Sequence, residues 1–393
     1  MIVFLFSLIV VSVQGARKIG DNVLLDALNL GQSNLNNTRE DCIWRTDNDL
    51  CSKNLIKYTL YTRKTSSSEE RGDKNDEMRS FDVDMSSPVW LHSSDWNPSH
   101  ETIILVHGYG GTADHLPTGI LRDAYIKNGS YNVIVVDWGP LSRLPCYLSA
   151  VHNIKSAAKC IGELFKFLRN SGVDMRKTSC VGHSLGAHVC GVVSNYLNFR
   201  LHKIIGLDPA KPLIPNVLKS RLDAGDADQV QVLHTSSSYG DSKKIGHIDF
   251  YFNGGRIQPY CVNVTNEELC SHMRSVCYLA ESIFADRVRH GTKCKRRNLQ
   301  GESDSKGILN RIGNAHFMPV GQFTPEGAVG TYCVSNIDAP FCSAERSDKG
   351  SPFCCRPSPT QSPDVSTVPA LPDNAIGRES KSNKVNPKKK NKL

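Results

Sequence analysis

One serine of this chain lies between two glycines in a pattern that requires a sharp turn. Residues 182–186 read Gly-His-Ser-Leu-Gly, with Ser184 at the centre. The β-prone residues 178–181 precede this pattern, and residues 187–193, which favour a helix, follow it. A strand, this turn and a helix in that order hold a serine in strained backbone, with its hydroxyl above the edge of a sheet. Ser184 is therefore the candidate nucleophile.

Short apolar runs on both sides of this turn predict buried, mostly parallel strands. They occupy residues 103–106, 133–136, 180–181, 204–207 and 230–233. Between the second and third runs, apolar residues from Val151 to Leu168 recur at spacings of three and four and predict a helix. Strand, helix and strand form a right-handed βαβ unit, which places Ser184 at the carboxyl edge of the sheet. Open α/β sheets bind their ligands at that edge.

The beginning of the chain predicts export. Residues 2–13 are apolar apart from two serines, and small residues follow, so residues 1–16 are predicted to form a secretory signal peptide. Fourteen cysteines, an even number, then predict a disulfide-stapled extracellular protein. Sequons for N-glycosylation stand at Asn36, Asn128 and Asn263. No later stretch is apolar enough to predict a transmembrane segment.

The end of the chain differs in composition from the rest. Residues 346–393 are rich in proline and serine and end in lysines, which predicts a disordered tail. Attraction of this tail to an anionic surface is the alternative to a merely solvated terminus. Residues 17–55 are then an N-terminal segment, and residues 56–345 form one large α/β domain. The net charge of +8 is modest, and no nucleic-acid partner is expected.

A serine hydroxyl needs a general base and an orienting carboxylate to act as a nucleophile. Asp208 follows the apolar run 204–207 and is predicted at the same sheet edge as Ser184, although an ordinary Asp-Pro turn has the same sequence. Candidates for the base are His234, His247, His272, His290 and His316. His272 is favoured because it follows a cysteine-bounded loop and precedes a predicted helix at 273–285, which would place it on a loop above the sheet.

The negative charge that develops during acyl transfer needs two N–H donors. One is expected from Leu185, the residue after the nucleophile. The other is expected from the glycine-rich residues 106–111, where Tyr109 is the candidate. An ordinary glycine-rich turn is the alternative interpretation of that segment.

Five blocks of sequence carry a more specific pattern than any single motif. They are residues 106–109 (VHGY), 182–188 (GHSLGAH), 206–210 (GLDPA), 246–255 (GHIDFYFNGG) and 270–275 (CSHMRS). In this order and at these intervals they resemble the pancreatic lipase family over residues 56–334. The resemblance implies a lipase-type α/β-hydrolase fold, in which a mostly parallel central sheet is flanked by helices.

The resemblance also implies roles for individual residues. Ser184 would be the nucleophile, Asp208 the acid and His272 the base. The backbone amides of Tyr109 and Leu185 would form the oxyanion hole. His247 and the Asn-Gly-Gly turn at 253–255 would then be structural.

Two short loops bear on the substrate. In the family's long-lid triacylglycerol lipases a disulfide-closed loop covers the site, whereas only eight residues separate Cys261 from Cys270 here. Residues 236–245 form a second short loop. Both resemble the short-lid, phospholipase A1-like branch, which implies sn-1 acyl release from lipids at membrane, micelle or lipoprotein surfaces. A triacylglycerol or galactolipid lipase, a serine peptidase on the same fold and a non-catalytic lipid-binding relative are the alternatives.

The family's calcium loop resembles residues 221–226, where Asp223 and Asp226 could serve a hard cation. Leu218 stands where the family has a glutamate, which counts against a structural calcium ion, and no cofactor is expected to be required. Because the residues after Val334 are few and rich in proline and serine, the lipid-binding β-sandwich of the larger lipases is not expected in them.

The resemblance and the spacing leave the disulfide connectivity open. The spacing is compatible with the pairs Cys146–Cys160, Cys180–Cys190 and Cys261–Cys270. The remaining late cysteines are expected to staple the region before the tail; they are Cys333, Cys342, Cys354 and Cys355. The oligomeric state has no signature in the sequence.

Overall fold

A computed structural model describes residues 42–46, 48–63, 78–114, 118–294 and 317–337. Several features predicted from the sequence lie outside these residues: the signal peptide at 1–16, the sequon at Asn36, His316, the cysteines at 342, 354 and 355, and the tail at 346–393.

The described residues contain eleven strands that form one sheet. The strands are β1 (Lys57–Arg63), β2 (Met78–Asp82), β3 (Glu101–Val106), β4 (Tyr131–Asp137), β5 (Thr178–His183), β6 (Leu201–Leu207), β7 (Ala227–His234), β8 (Ile248–Phe252), β9 (His290–Lys293), β10 (Met318–Pro319) and β11 (Gly330–Val334). Their order across the sheet is β10-β9-β11-β8-β7-β6-β5-β3-β4-β1-β2. Within the run from β11 to β4 every adjacent pair of strands is parallel, whereas β9 is antiparallel to β11 and β1 is antiparallel to β4.

Six α-helices lie among the described residues. They are α1 (Val89–Ser93), α2 (Thr118–Asn128), α3 (Gly139–Ser142), α4 (Tyr147–Asn170), α5 (Leu185–Val193) and α6 (Glu267–Ser282). The helix predicted from the apolar spacing is α4, which buries Ile154, Ile161 and Phe165. None of the described helices is long and apolar enough to cross a lipid bilayer.

The helices cover both faces of the sheet because its central strands are apolar on both sides. In β3, Ile104 belongs to one hydrophobic cluster together with residues of α4 and α5. The adjacent Ile103 belongs to a second cluster together with residues of α2 and α6. Successive side chains of a strand point to opposite faces, so continuous apolar runs indicate a doubly covered sheet. The predicted α/β fold with a mostly parallel sheet flanked by helices is confirmed.

The disulfides correct one predicted pair. Cys180–Cys190 and Cys261–Cys270 form as the spacing suggested. Cys146 and Cys160 do not pair with each other; Cys146 bonds Cys42, and Cys160 bonds Cys51. The spacing misled because Cys146 is the N-cap residue of α4 and Cys160 lies within that helix, so a rigid helix holds them apart and each bonds a cysteine of the N-terminal segment. A further bond joins Cys294 to Cys333 and ties β9 to β11.

The strand order determines where a site can form. From β3 the chain moves to β4 on one side and then returns to place β5 on the other side of β3. Such a reversal opens a crevice at the carboxyl ends of the two strands. The loops after β3, β5 and β6 therefore meet at one edge, and these loops carry Tyr109, Ser184 and Asp208.

Candidate active site

Ser184 occupies the sharp turn between β5 and α5. Its backbone has φ 57° and ψ −120°, a conformation that a residue with a side chain rarely adopts. The flanking glycines explain how the turn closes. A Cβ atom on Gly182 would lie 2.2 Å from the carbonyl oxygen of Gly186, and one on Gly186 would lie 2.2 Å from that of Val106. The backbone segments approach so closely that only hydrogen atoms fit between them.

The neighbouring strands hold this turn from both sides. The N–H of Ser184 donates to the carbonyl of Leu207 at the end of β6, at 3.0 Å. On the other side, a Cβ on Gly108 would lie 2.8 Å from the Cβ of Ser184. The serine is therefore fixed between the end of β6 and the loop after β3.

Asp208 and His272 form a buried hydrogen-bonded pair. Nδ1 of His272 lies 2.6 Å from Oδ2 of Asp208, and the side chains are 4% and 0% exposed. An imidazole whose Nδ1–H is held by a carboxylate presents Nε2 for proton exchange. Among the described residues no hydrogen bond joins Ser184 Oγ to this imidazole, as is common in ligand-free sites, where such bonds tighten only with substrate.

The loop after β7 holds the carboxylate of Asp208, a contribution that the sequence analysis missed. Oδ1 of Asp208 accepts the backbone N–H groups of Thr235 at 2.7 Å and Ser236 at 3.1 Å. Gly240 lies against the same carboxylate, because a Cβ there would approach its oxygens to 2.4–2.5 Å. The ring of Tyr239 lies 5.7 Å from that of His272. The short loop at 236–245 therefore supports both members of the pair.

His272 lies on a helix rather than on the predicted loop. It belongs to α6, which begins at Glu267, and the side chain of Asn266 caps this helix by accepting the N–H of Leu269 at 2.9 Å. Part of the eight-residue segment between Cys261 and Cys270 is thus the first turn of this helix. The prediction failed because a capping Asn followed by two glutamates was not recognised as a helix start.

His183 connects the serine turn to this helix. Its Nε2–H donates to the backbone carbonyl of His272 at 3.3 Å, and the centroids of the two rings are 4.6 Å apart. Burial, followed by the neighbouring imidazole of His272, lowers the pKa of His183 well below its usual value. A neutral His183 adds no positive charge beside His272.

The two predicted oxyanion donors lie on backbone with a fixed conformation, one on a helix and one on a loop. Leu185 is the first residue of α5, and its N–H is in the first helical turn, where no carbonyl of the helix reaches it. The loop that carries Tyr109 is held by a bond from the N–H of Gly110 to the carbonyl of Ser142, at 2.7 Å. The Tyr109 ring packs edge-on against Tyr147, with centroids 4.9 Å apart.

The structure gives the two histidines at the ends of β7 and β8 structural hydrogen bonds. His247 accepts the N–H of Val230 on Nδ1 at 3.0 Å, and its own N–H donates to the carbonyl of Val230. His234 is fully buried and contacts Asp249. Among the described residues, neither histidine forms a hydrogen bond with Asp208 or Ser184. His290 opens β9 and is exposed.

Asp223 and Asp226, the calcium candidates, cap a short 3₁₀ helix at Ala224–Asp226. Oδ1 of Asp223 accepts the N–H of Gly225 at 2.6 Å, and Oδ2 of Asp226 accepts the N–H of Asp223 at 2.8 Å. Burial raises the pKa of Asp226 to about 7 despite the bonds that its carboxylate accepts from the N–H of Asp223 and the hydroxyl of Ser194. Within the described part of the chain no cluster of His, Cys, Asp and Glu has the arrangement of a metal site.

Two sequons lie within the described residues. Asn263 is exposed in the segment between Cys261 and Cys270. Asn128 is half-buried at the end of α2, and its Nδ2 donates to the carbonyl of Ile283 at 3.0 Å.

A comparison with models of protein families assigns the chain to a family. Residues 70–313 match the family model described as Lipase. The chain belongs to the lipase family. The family resemblance inferred from the five sequence blocks is thereby confirmed.

Two curated relatives of this lipase-family chain carry a common name. Phospholipase A1 of Vespula squamosa is 35% identical over 192 residues, which cover 46% of this chain and 64% of the wasp protein. Phospholipase A1 member A of Mus musculus is 36% identical over 194 residues, covering 47% of this chain and 42% of the mouse protein. The chain thus matches less than two thirds of the length of either relative.

Among solved structures, the phospholipase/carboxylesterase from Dyadobacter fermentans matches with 14% identity and a TM-score of 0.26. The match covers 48% of this lipase-family chain and 76% of that protein. The assignment of the α/β-hydrolase fold rests on the family match and on the sheet itself.

Proposed function

We propose that this chain is a serine hydrolase of lipid acyl esters with Ser184 as nucleophile, His272 as general base and Asp208 as the orienting acid. One observation carries the proposal: the buried Asp208–His272 pair, joined at 2.6 Å, lies at the same sheet edge as a serine held in strained backbone. A strained serine beside an oriented imidazole has the parts of an acyl-transfer triad.

In the proposed reaction Ser184 Oγ attacks the ester carbonyl carbon while Nε2 of His272 takes its proton. The carbonyl oxygen becomes an oxyanion, and the N–H groups of Tyr109 and Leu185 stabilise it. The intermediate collapses to an acyl-serine, and the alcohol leaves with the proton from His272. Water then repeats the two steps and releases the fatty acid. Asp208 keeps the imidazole in the required tautomer and stabilises the imidazolium.

We propose phospholipids as the substrate class, with release of the sn-1 acyl chain. The names of the wasp and mouse relatives support this choice. A second support is the shortness of the disulfide-closed segment at 261–270. Part of this segment is a helical turn, so few of its residues are left to obstruct a bulky headgroup. Triacylglycerol or galactolipid hydrolysis is the second candidate, and a non-catalytic lipid-binding role is the candidate from another class.

We further propose that the protein is secreted and acts on lipid at membrane, micelle or lipoprotein surfaces. Five disulfides among the described residues support an oxidising compartment. Residues 56–345 are proposed as the catalytic domain. Asn36, Asn128 and Asn263 are proposed glycosylation sites, of which Asn263 has an exposed side chain. A mass shift on treatment with an N-glycosidase tests them.

We propose that catalysis requires no metal. Asp223 and Asp226 already use carboxylate oxygens to cap a helix, which supports this view. Dialysis against EDTA should leave ester hydrolysis unchanged. A loss that calcium restores would contradict the proposal.

The deciding experiment compares the wild-type protein with Ser184→Ala on phosphatidylcholine, phosphatidylserine and triolein. We expect wild-type release of the sn-1 fatty acid from phospholipid, little turnover of triolein and no turnover by the variant. Ser93→Ala, at an exposed position on α1, is the matched control and should keep full activity. Preferential triolein hydrolysis would favour the second candidate. A wild-type protein that neither hydrolyses esters nor reacts with a fluorophosphonate probe would favour the binding role.

A further inference from the structure

A second buried histidine–aspartate pair lies next to the proposed triad. His234 ends β7, Asp249 is the second residue of β8, and both side chains are 0% exposed. Nε2 of His234 lies 2.9 Å from Oδ1 of Asp249. The proposed reaction uses neither residue.

Each ring nitrogen of His234 faces an oxygen that accepts hydrogen bonds. Nδ1 lies 2.7 Å from the backbone carbonyl of Asp241, which can only accept a hydrogen bond. Oδ1 of Asp249 already accepts the N–H groups of Ile245 at 2.9 Å and Gly246 at 3.3 Å, so this oxygen is an acceptor toward Nε2 as well. With acceptors on both sides, the geometry fits a His234 ring that donates from both nitrogens, one to a carbonyl and one to a carboxylate.

The surroundings of the pair are consistent with a positive ring. The ring of Tyr251 stacks on that of His234 at 4.3 Å with an interplanar angle of 9°. The hydroxyl of Tyr251 donates to the carbonyl of Ser242. The side chain of Asp241 accepts the N–H of Lys243. Oδ2 of Asp249 has no partner within the described residues, so the charge of His234 is its main compensation.

This pair fastens the loop that supports the triad. The loop runs from Thr235 to His247, between β7 and β8. His234 binds its middle through the carbonyl of Asp241, and Asp249 binds its end through the amides of Ile245 and Gly246. The beginning of the same loop donates two N–H groups to Asp208.

We propose that His234 and Asp249 are positioning residues for catalysis: their ion pair fixes the loop at 235–247 so that its amides hold Asp208 in place for His272. This proposal rests on the proposed triad. A neutral histidine has one ring N–H and could donate only one of these two bonds. The carboxylate of Asp249 allows His234 to donate both.

Asp249→Asn tests the proposal with almost no change of shape. The amide oxygen still accepts the N–H groups of Ile245 and Gly246, but the charge opposite His234 is lost, and a neutral His234 releases one bond. We expect kcat on phospholipid to fall about 10- to 100-fold with little change of KM, because the triad is misplaced while the lipid site remains. Lys244→Ala, an exposed change on the same loop, is the matched control and should keep wild-type kcat.

Proton NMR provides a readout that a general loss of stability would not move. The His272–Asp208 hydrogen bond should give a low-field imidazole proton, assigned by its absence in His272→Ala. In folded Asp249→Asn this signal should broaden or shift. An unchanged signal together with kcat within twofold of the wild type would overturn the proposal.

The wild-type protein supplies an independent measurement if Asp249→Asn does not fold. With ¹⁵N-labelled histidine, both ring nitrogens of His234 should have shifts typical of protonated nitrogen at the pH of activity. A neutral His234 would overturn the proposal. Failure of the proposed function is distinguishable, since the wild-type protein would then lack esterase activity whatever the state of His234.

Discussion

Gly182 and Gly186 lie so close together that a Cβ on Gly182 would stand 2.2 Å from the carbonyl oxygen of Gly186. This contact closes the turn on which Ser184 adopts its left-handed backbone. The strain at the serine is therefore maintained by two residues without side chains, one at each end of the turn.

Gly182→Ala should abolish ester hydrolysis. It should also lower the free energy of unfolding by about 3 kcal/mol, because the backbone must move to admit the methyl group. Thermal unfolding and an activity assay measure the two effects. Gly119→Ala is the control: its Cβ would approach no described atom closer than 3.4 Å, and α2 should tolerate it within about 1 kcal/mol. Wild-type activity of Gly182→Ala would disprove the described turn.

Gly240→Ala should lower kcat without removing a catalytic group. A methyl group at this position would lie about 2.4 Å from Oδ2 of Asp208, the oxygen that holds His272. The carboxylate must move, and we expect kcat to fall on the order of 10- to 100-fold. Steady-state kinetics on a soluble ester measure this. Gly119→Ala, whose new methyl group would lie no closer than 3.4 Å to the nearest atom of another described residue, serves as the comparison. Equal kcat in both variants would contradict the role of Gly240.

Replacing both Cys261 and Cys270 by alanine should affect kcat as well as stability. The bond closes a short loop, and its loss should lower the free energy of unfolding by about 2–3 kcal/mol. Because Cys270 lies two residues before His272 on α6, the looser helix start should also lower kcat. Removing Cys294–Cys333, between β9 and β11, should lower stability but leave kcat unchanged. Urea unfolding of both variants measures the change in stability, and steady-state kinetics measure the change in kcat.

Stability should fall between pH 4 and pH 7 through Asp226. Burial raises its pKa from 3.8 to about 7, so the folded state binds a proton that the unfolded state has released. Since the native state then binds more protons, the free energy of unfolding decreases as pH rises through this window, by at most on the order of 4 kcal/mol. Asp226→Asn should remove this contribution and be more stable than the wild type at pH 8. If the melting temperatures of the wild type and Asp226→Asn changed with pH in the same way, this prediction would be wrong.

Local patterns predicted the elements well. The five apolar runs became β3, β4, β5, β6 and β7, and the helix predicted around Val151–Leu168 became α4. Such runs carry their own signal, because a strand buried on both faces must be continuously apolar and an amphipathic helix must repeat its apolar residues every three to four positions.

Features that depend on partners distant in sequence were predicted less well. Cys146 caps α4 and Cys160 lies within it, yet their partners are 104 and 109 residues away. His272 was expected on a loop because its cap at Asn266 was overlooked. The amides of Thr235 and Ser236, which hold Asp208, had no signature at all, since any residue provides an N–H group.

The sequence by itself determined the family, the serine turn and the order of strands and helices, because glycine spacing and apolar periodicity act over a few neighbouring residues. Only the tertiary structure decided which groups meet at the sheet edge. Asp208 and His272 are 64 residues apart in the chain, and their 2.6 Å contact joins the residue after β6 to a residue of α6. Contacts of this kind arise from strand order and packing, which no local pattern encodes.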